Sequence, residues 1–172
     1  MLIGHLALAT TALFTGAAFY INFAEQPARL ALDDRSLLAE WKPAYARGFV
    51  MQATLAVVGF VLGAVAWWQT GQLAYLAGAV LMLANWPRNL LVIKPVNDDL
   101  MATDPADARP QTRANIAKWN TLHAVRTGLG ALAIVCFLSP FPPVDRAGLD
   151  GAPAQGHESL RVVIWPAGLQ PR

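Results

Sequence analysis

His123 is the most chemically versatile side chain in this sequence, because a modest change of environment places its proton exchange at working pH. It stands in the run Trp119-Asn120-Thr121-Leu122-His123-Ala124-Val125-Arg126. At helical spacing, Trp119, His123, Arg126 and Gly130 share one stripe, so a general base and a fixed cation sit about a turn apart. Arg126 is suited to an anionic oxygen or a carboxylate. A second group, Trp86, Asn89, Ile93 and Asn97, is spaced by three and four and also predicts a single face. Pro87 lies inside that segment and frees a backbone carbonyl one turn earlier. Glu25 falls in Glu25-Gln26-Pro27-Ala28-Arg29, and Tyr45 in Trp41-Lys42-Pro43-Ala44-Tyr45-Ala46-Arg47-Gly48.

These residues need elements to hold them, and the composition says which. Hydrophobic residues make up 55% of the 172 and charged residues 14%. That is too little charge to cover a soluble domain of this size. A spanning helix needs about 20 mostly apolar residues to cross roughly 30 Å of hydrocarbon. Four stretches qualify, at about 2–24, 48–68, 73–93 and 120–138. Period-two alternation is absent, so the spans are helices and not the strands of a closed barrel. The expected fold is all-α: an integral membrane four-helix bundle over residues 1–139. Its second connection, Gln69-Thr70-Gly71-Gln72, is a tight turn that makes the second and third spans antiparallel neighbours. Residues 140–172 are rich in Pro, Gly and Ala and are expected to be mostly disordered.

Lys and Arg cluster in the first connection (Arg29, Arg35, Lys42, Arg47) and the third (Lys94, Arg109, Arg113, Lys118). The positive-inside rule therefore expects a cell-membrane protein with those two connections cytoplasmic and both termini outside. The first span begins without Lys or Arg and runs longer than a signal core, so it reads as a retained helix. The bilayer is the partner that the composition predicts. The net charge of +2 and the lack of a basic stripe with interleaved aromatics argue against nucleic acid. Oligomeric state is left open.

On this topology Glu25, Asn89, Asn97, Trp119, His123 and Arg126 gather toward the cytoplasmic end of the bundle. Each has a plain structural reading. Arg126 would snorkel or pair with Glu25, Asn85 and Asn89 would join helices, and Trp41, Trp67 and Trp68 would form an aromatic belt. The functional reading gains because several costly residues share one depth. Metal binding finds no support: one His and one Glu fall short of the three or four ligands a zinc or iron site needs, and the single cysteine, Cys136, lies in an apolar run. No phosphate loop, nucleophile elbow or dinucleotide fingerprint is present.

Several of these runs together resemble the anthrone oxygenase-like family of small membrane proteins. The resemblance extends from about residue 16 to 130. It is carried by Gly16-Ala17-Ala18-Phe19-Tyr20, Glu25-Gln26-Pro27-Ala28-Arg29, Trp41 to Gly48, Trp86-Pro87-Arg88-Asn89, Ile93-Lys94-Pro95-Val96-Asn97, and the run from Trp119 to Arg126. It implies a four-helix membrane bundle, an oxygenase converting an anthrone to an anthraquinone in some relatives, and no dedicated cofactor. Under that resemblance His123 would act as general base on a flat aromatic or phenolic substrate. Arg126, with Asn89 or Asn97, would stabilise the resulting oxyanion. Trp86, Trp119 and Tyr45 would wall the pocket, and Glu25 would orient His123 or Arg126. Two alternatives stay open: a non-catalytic accessory or structural membrane protein, and a quinone or small-molecule binder or transporter. An open cavity lined by His123, Arg126 and Asn89 favours the oxygenase or the binder or transporter; a packed, closed bundle favours the structural protein.

Overall fold

The computed structural model describes residues 2–140; the tail and its Trp165 lie outside the described residues. The described chain is helical throughout, without a strand. Its elements are α1 (Leu2–Tyr20), α2 (Gln26–Leu30), α3 (Asp34–Thr70), α4 (Leu73–Leu83), α5 (Asn85–Arg88), α6 (Lys94–Ala102) and α7 (Pro110–Leu138). Two π-helical turns, Ile21–Glu25 and Asn89–Ile93, are spliced between α1 and α2 and between α5 and α6. Four continuous helical stretches result, each long and apolar enough to cross a membrane.

Local chemistry sets the ends. The Asp33 side chain accepts the N–H groups of Arg35 and Ser36 at 3.1 Å and caps α3. Hydrogen bonds from Ser36 hold its carboxyl below the usual value. Gly71 ends α3 at φ 71°, a left-handed conformation that glycine adopts without strain. Thr112 accepts the N–H of Arg109 at 3.2 Å where α7 starts.

The helices outrun the hydrophobic spans read from the sequence. α3 has 37 residues, about 55 Å at 1.5 Å per residue, against roughly 30 Å of hydrocarbon. The segments expected as charged connections are largely helix: α2, the first third of α3, α6 and the start of α7 form a polar extension of the bundle. The reason is visible in the side chains. Large exposed apolar residues on α3 begin at Val50 and run to Trp68, whereas before Val50 the large apolar residues turn inward: Leu37, Leu38 and Trp41 have no exposed surface. These pack with Ile93, Leu100, Ile116 and Trp119 as a small soluble-type core. Trp41 is therefore a core residue and not part of an aromatic belt, while Trp68, 83% exposed, fits a belt at the opposite end.

Within the membrane part, α1 and α4 each pack against both α3 and α7. Lipid offers no hydrophobic drive between helices, so close approach of small residues holds them together. Ala7, Ala18, Ala56, Ala66, Ala79 and Ala133 are buried at the contacts. A Cβ on Gly78 would stand 2.5 Å from the Phe137 ring. Gly78→Ala is therefore expected to cost about 1–3 kcal/mol by overpacking, read as a lower melting temperature in detergent.

Candidate functional site

The two π turns share a cause and a consequence. In each, the backbone bond runs five residues back: Gln26 N–H to Ile21 O, and Lys94 N–H to Asn89 O. In each, a proline follows two residues after the turn, Pro27 and Pro95. A proline ring in a helix crowds the carbonyl four residues earlier, here Phe23 and Leu91, both within the widened turns. Such bulges occur often at functional sites. These two face one cavity of about 270 Å³, lined by Ile21 and Glu25 from the first and by Asn89 and Ile93 from the second. α7 contributes Trp119, His123 and Arg126, and α3 contributes Tyr45, Gly48 and Gln52. The cavity lies where the exposed apolar band gives way to the polar extension.

His123 is 2% exposed. Its Nδ1 lies 3.0 Å from Asn22 Oδ1. The Asn22 amide donates to the Asn120 carbonyl at 2.9 Å and also to the Asn120 side chain, so its oxygen is the acceptor toward His123. Thr127 Oγ1 donates to that same oxygen at 3.3 Å. This pattern assigns the proton to Nδ1 and leaves the lone pair on Nε2. Trp119 stacks on the imidazole with centroids 4.7 Å apart.

The two buried arginines differ sharply. Arg29 is saturated: it donates to Glu25, to Glu40 and, at 3.0 Å, to Gln26 Oε1. Gln26 in turn donates to the Ile116 carbonyl at 2.9 Å, tying α2 to α7. Arg126 has one protein acceptor, Asn89 Oδ1 at 3.2 Å, and forms no ion pair among the described residues. A buried guanidinium so poorly matched is costly by itself. It suits a site whose missing acceptor arrives with a ligand.

The structure separates the sequence-derived residues into three groups. Glu25, Tyr45, Asn89, Trp119, His123 and Arg126 line the cavity. Asn97 does not; it is buried behind the wall, donating to Tyr45 Oη and accepting from Trp119 Nε1, both at 2.9 Å, and so fixes two wall aromatics. Trp86 is turned away by the π turn that follows it. It is 37% exposed and borders a separate pocket of about 20 Å³ that also touches Asn89, Gln52 and Arg126. Glu25 pairs with Arg29 and not with His123 or Arg126. Asn22, Gln52 and Gly48 were missed. Asn22 and Gln52 are amides in otherwise apolar spans, the criterion that singled out Asn89, and it would have found them too. Among the described residues, no three His, Cys, Asp or Glu side chains converge as metal ligands.

A Cβ placed on Gly48 meets nothing within 4 Å, because the position faces the cavity. Gly48→Ala is therefore expected to stabilise by up to about 1 kcal/mol, the usual gain in a helix interior, and to retain ligand binding. Gly48→Trp is expected to fill the cavity and abolish ligand-induced thermal stabilisation.

A family model described as anthrone oxygenase matches residues 41–136, more than half of the chain. No curated protein matches, and no solved structure matches. The matched segment contains Tyr45, Asn89, Trp119, His123 and Arg126; Asn22, Glu25 and Arg29 precede it.

Proposed function

We propose, from the premise that the chain belongs to the anthrone oxygenase family, that it is a membrane oxygenase acting on a flat phenolic or anthrone-like molecule held in the cavity. The observation that carries this reading is Arg126: a buried cation with one hydrogen bond, opening on a cavity beside a histidine whose free nitrogen is a base. The volume of about 270 Å³ lies near the lower end of small-molecule sites, roughly 300–1,000 Å³, and suits a compact polycyclic ligand.

In the reaction, His123 Nε2 takes a proton from the acidic C–H of the substrate. The negative charge passes to the substrate oxygen, where Arg126 donates to it. The electron-rich carbon forms a bond to dioxygen, giving a hydroperoxide after protonation. Loss of water from that hydroperoxide leaves a carbonyl. A CH2 group becomes C=O, and the second oxygen atom of dioxygen leaves as water, so the four electrons balance with dioxygen as the only oxidant. Trp119 and Tyr45 hold the flat substrate, and Asn22 keeps the imidazole in its working tautomer.

The test is a thermal-shift panel of anthrones, hydroxyanthraquinones and quinones on detergent-purified protein, followed by oxygen uptake with any compound that binds. Stabilisation with uptake supports an oxygenase. Stabilisation by quinones without uptake would leave the cavity as a binding or transport site. The polar extension is placed in the cytoplasm on charge grounds. A C-terminal fusion to a reporter active only in the cytoplasm is therefore expected to be silent, and an active one would reverse the orientation.

A further inference from the structure

We infer that the cavity loads sideways from the bilayer, through an opening between α1 and α3 framed by Tyr20 and Met51. Among the residues lining it, only these two are exposed, at 60% and 45%. Both lie at the edge of the apolar band, which begins on α3 at Val50. Phe19, Phe23 and Val50 beside them are 53%, 71% and 64% exposed, and the rings of Phe19 on α1 and Phe23 in the π turn that follows it stack at 5.2 Å. A surface of this kind faces acyl chains.

The opposite side is more tightly packed. Toward the polar extension, Trp41 stacks on Tyr45 at 4.8 Å and meets Trp119 edge-on at 5.9 Å. Asn97 holds Tyr45 and Trp119 together from behind, and Arg29 pairs with Glu25 and Glu40 on the remaining flank. The polar groups, His123, Arg126 and Asn89, are buried at the inner end and the mouth is apolar. That gradient selects an amphiphile dissolved in the membrane, entering with its hydrogen-bonding or ionised oxygen first and keeping its apolar edge toward lipid. Met51 is a suitable gate, because its unbranched thioether repacks easily. The inference rests on the proposed ligand class for its occupant, but the direction of the opening does not depend on it.

The experiment uses the full chain in nanodiscs with Cys136→Ala as background and a nitroxide attached at Tyr20→Cys, Met51→Cys, Val61→Cys or Gln72→Cys. Val61 is a lipid-facing control and Gln72 lies in the exposed turn. Collisions with dioxygen should dominate at positions 20 and 51 as at 61, and a water-soluble nickel chelate should relax only position 72. Nickel relaxation at 20 and 51 equal to that at 72 would overturn the lipid-facing mouth. Binding of dihydroxyanthraquinone, followed by tryptophan quenching, should be roughly tenfold slower with the adduct at Met51→Cys and unchanged at Val61→Cys, since access is what the adduct blocks. An unchanged rate at both sites would sink the lateral route while leaving the ligand assignment intact. No binding by the unlabelled protein would sink the ligand assignment, leaving the collision data to decide the mouth.

Discussion

His123→Ala is expected to lower turnover by about 10²–10⁴-fold, the usual worth of a positioned general base. Binding of a product-like hydroxyanthraquinone should change only a few-fold, because the anion is held by Arg126. The split between the two readouts matters. A merely structural histidine would lose binding and melting temperature together, as the cavity wall relaxed. Asn22→Leu should reproduce part of the effect without touching the substrate. It removes the acceptor at 3.0 Å that fixes the Nδ1 proton, and a histidine without that partner divides between tautomers and orientations. Oxygen uptake under single-turnover conditions measures both. Full turnover in His123→Ala would end the assignment of this residue as the base.

Arg126→Met is expected to lower kcat/KM by about 10²–10³-fold, the loss typical of a single oxyanion donor. The same change should leave the melting temperature unchanged or raise it. Replacing a buried charge that lacks a counter-ion with an apolar side chain of similar size removes a desolvation cost. Arg29→Met provides the contrast. It strands Glu25 and Glu40, whose side chains are 27% and 41% exposed. That exposure allows water to screen them, so the loss should be about 1–2 kcal/mol and not the larger penalty of a fully buried pair. A melting temperature that falls for Arg126→Met as it does for Arg29→Met would show that Arg126 holds the bundle together and would remove its role at the oxyanion.

Most of the architecture was legible because lipid imposes a strong rule: a spanning segment must be long, apolar and helical. The stripe Trp119, His123, Arg126 and Gly130 was legible for a similar reason, since α7 runs unbroken and the period of 3.6 holds along it. The same arithmetic failed on the third span. It put Trp86 on a face with Asn89, Ile93 and Asn97. The π turn at Asn89–Ile93 adds a residue to one turn and rotates what precedes it, so Trp86 points outward while Asn89, Ile93 and Asn97 stay inside. Glu25 was expected against His123 or Arg126, and a π turn intervenes there also. Arg29, four residues on, takes the carboxylate instead.

By itself, the sequence determined the helical class, the four spans, the tight second turn and the set of polar residues gathered at one end. Each of these depends on composition or on spacing along a single helix. The tertiary structure alone decided which buried arginine has a carboxylate partner and which has only Asn89, that Asn22 sets the histidine tautomer, that Asn97 supports the wall instead of lining it, and that the mouth lies between α1 and α3. Apart from the Glu25–Arg29 pair, four positions apart, those depend on contacts between residues about 10 to 100 positions apart, whose geometry is fixed by helix packing and by two widened turns. A periodicity assuming 3.6 residues per turn does not contain that information.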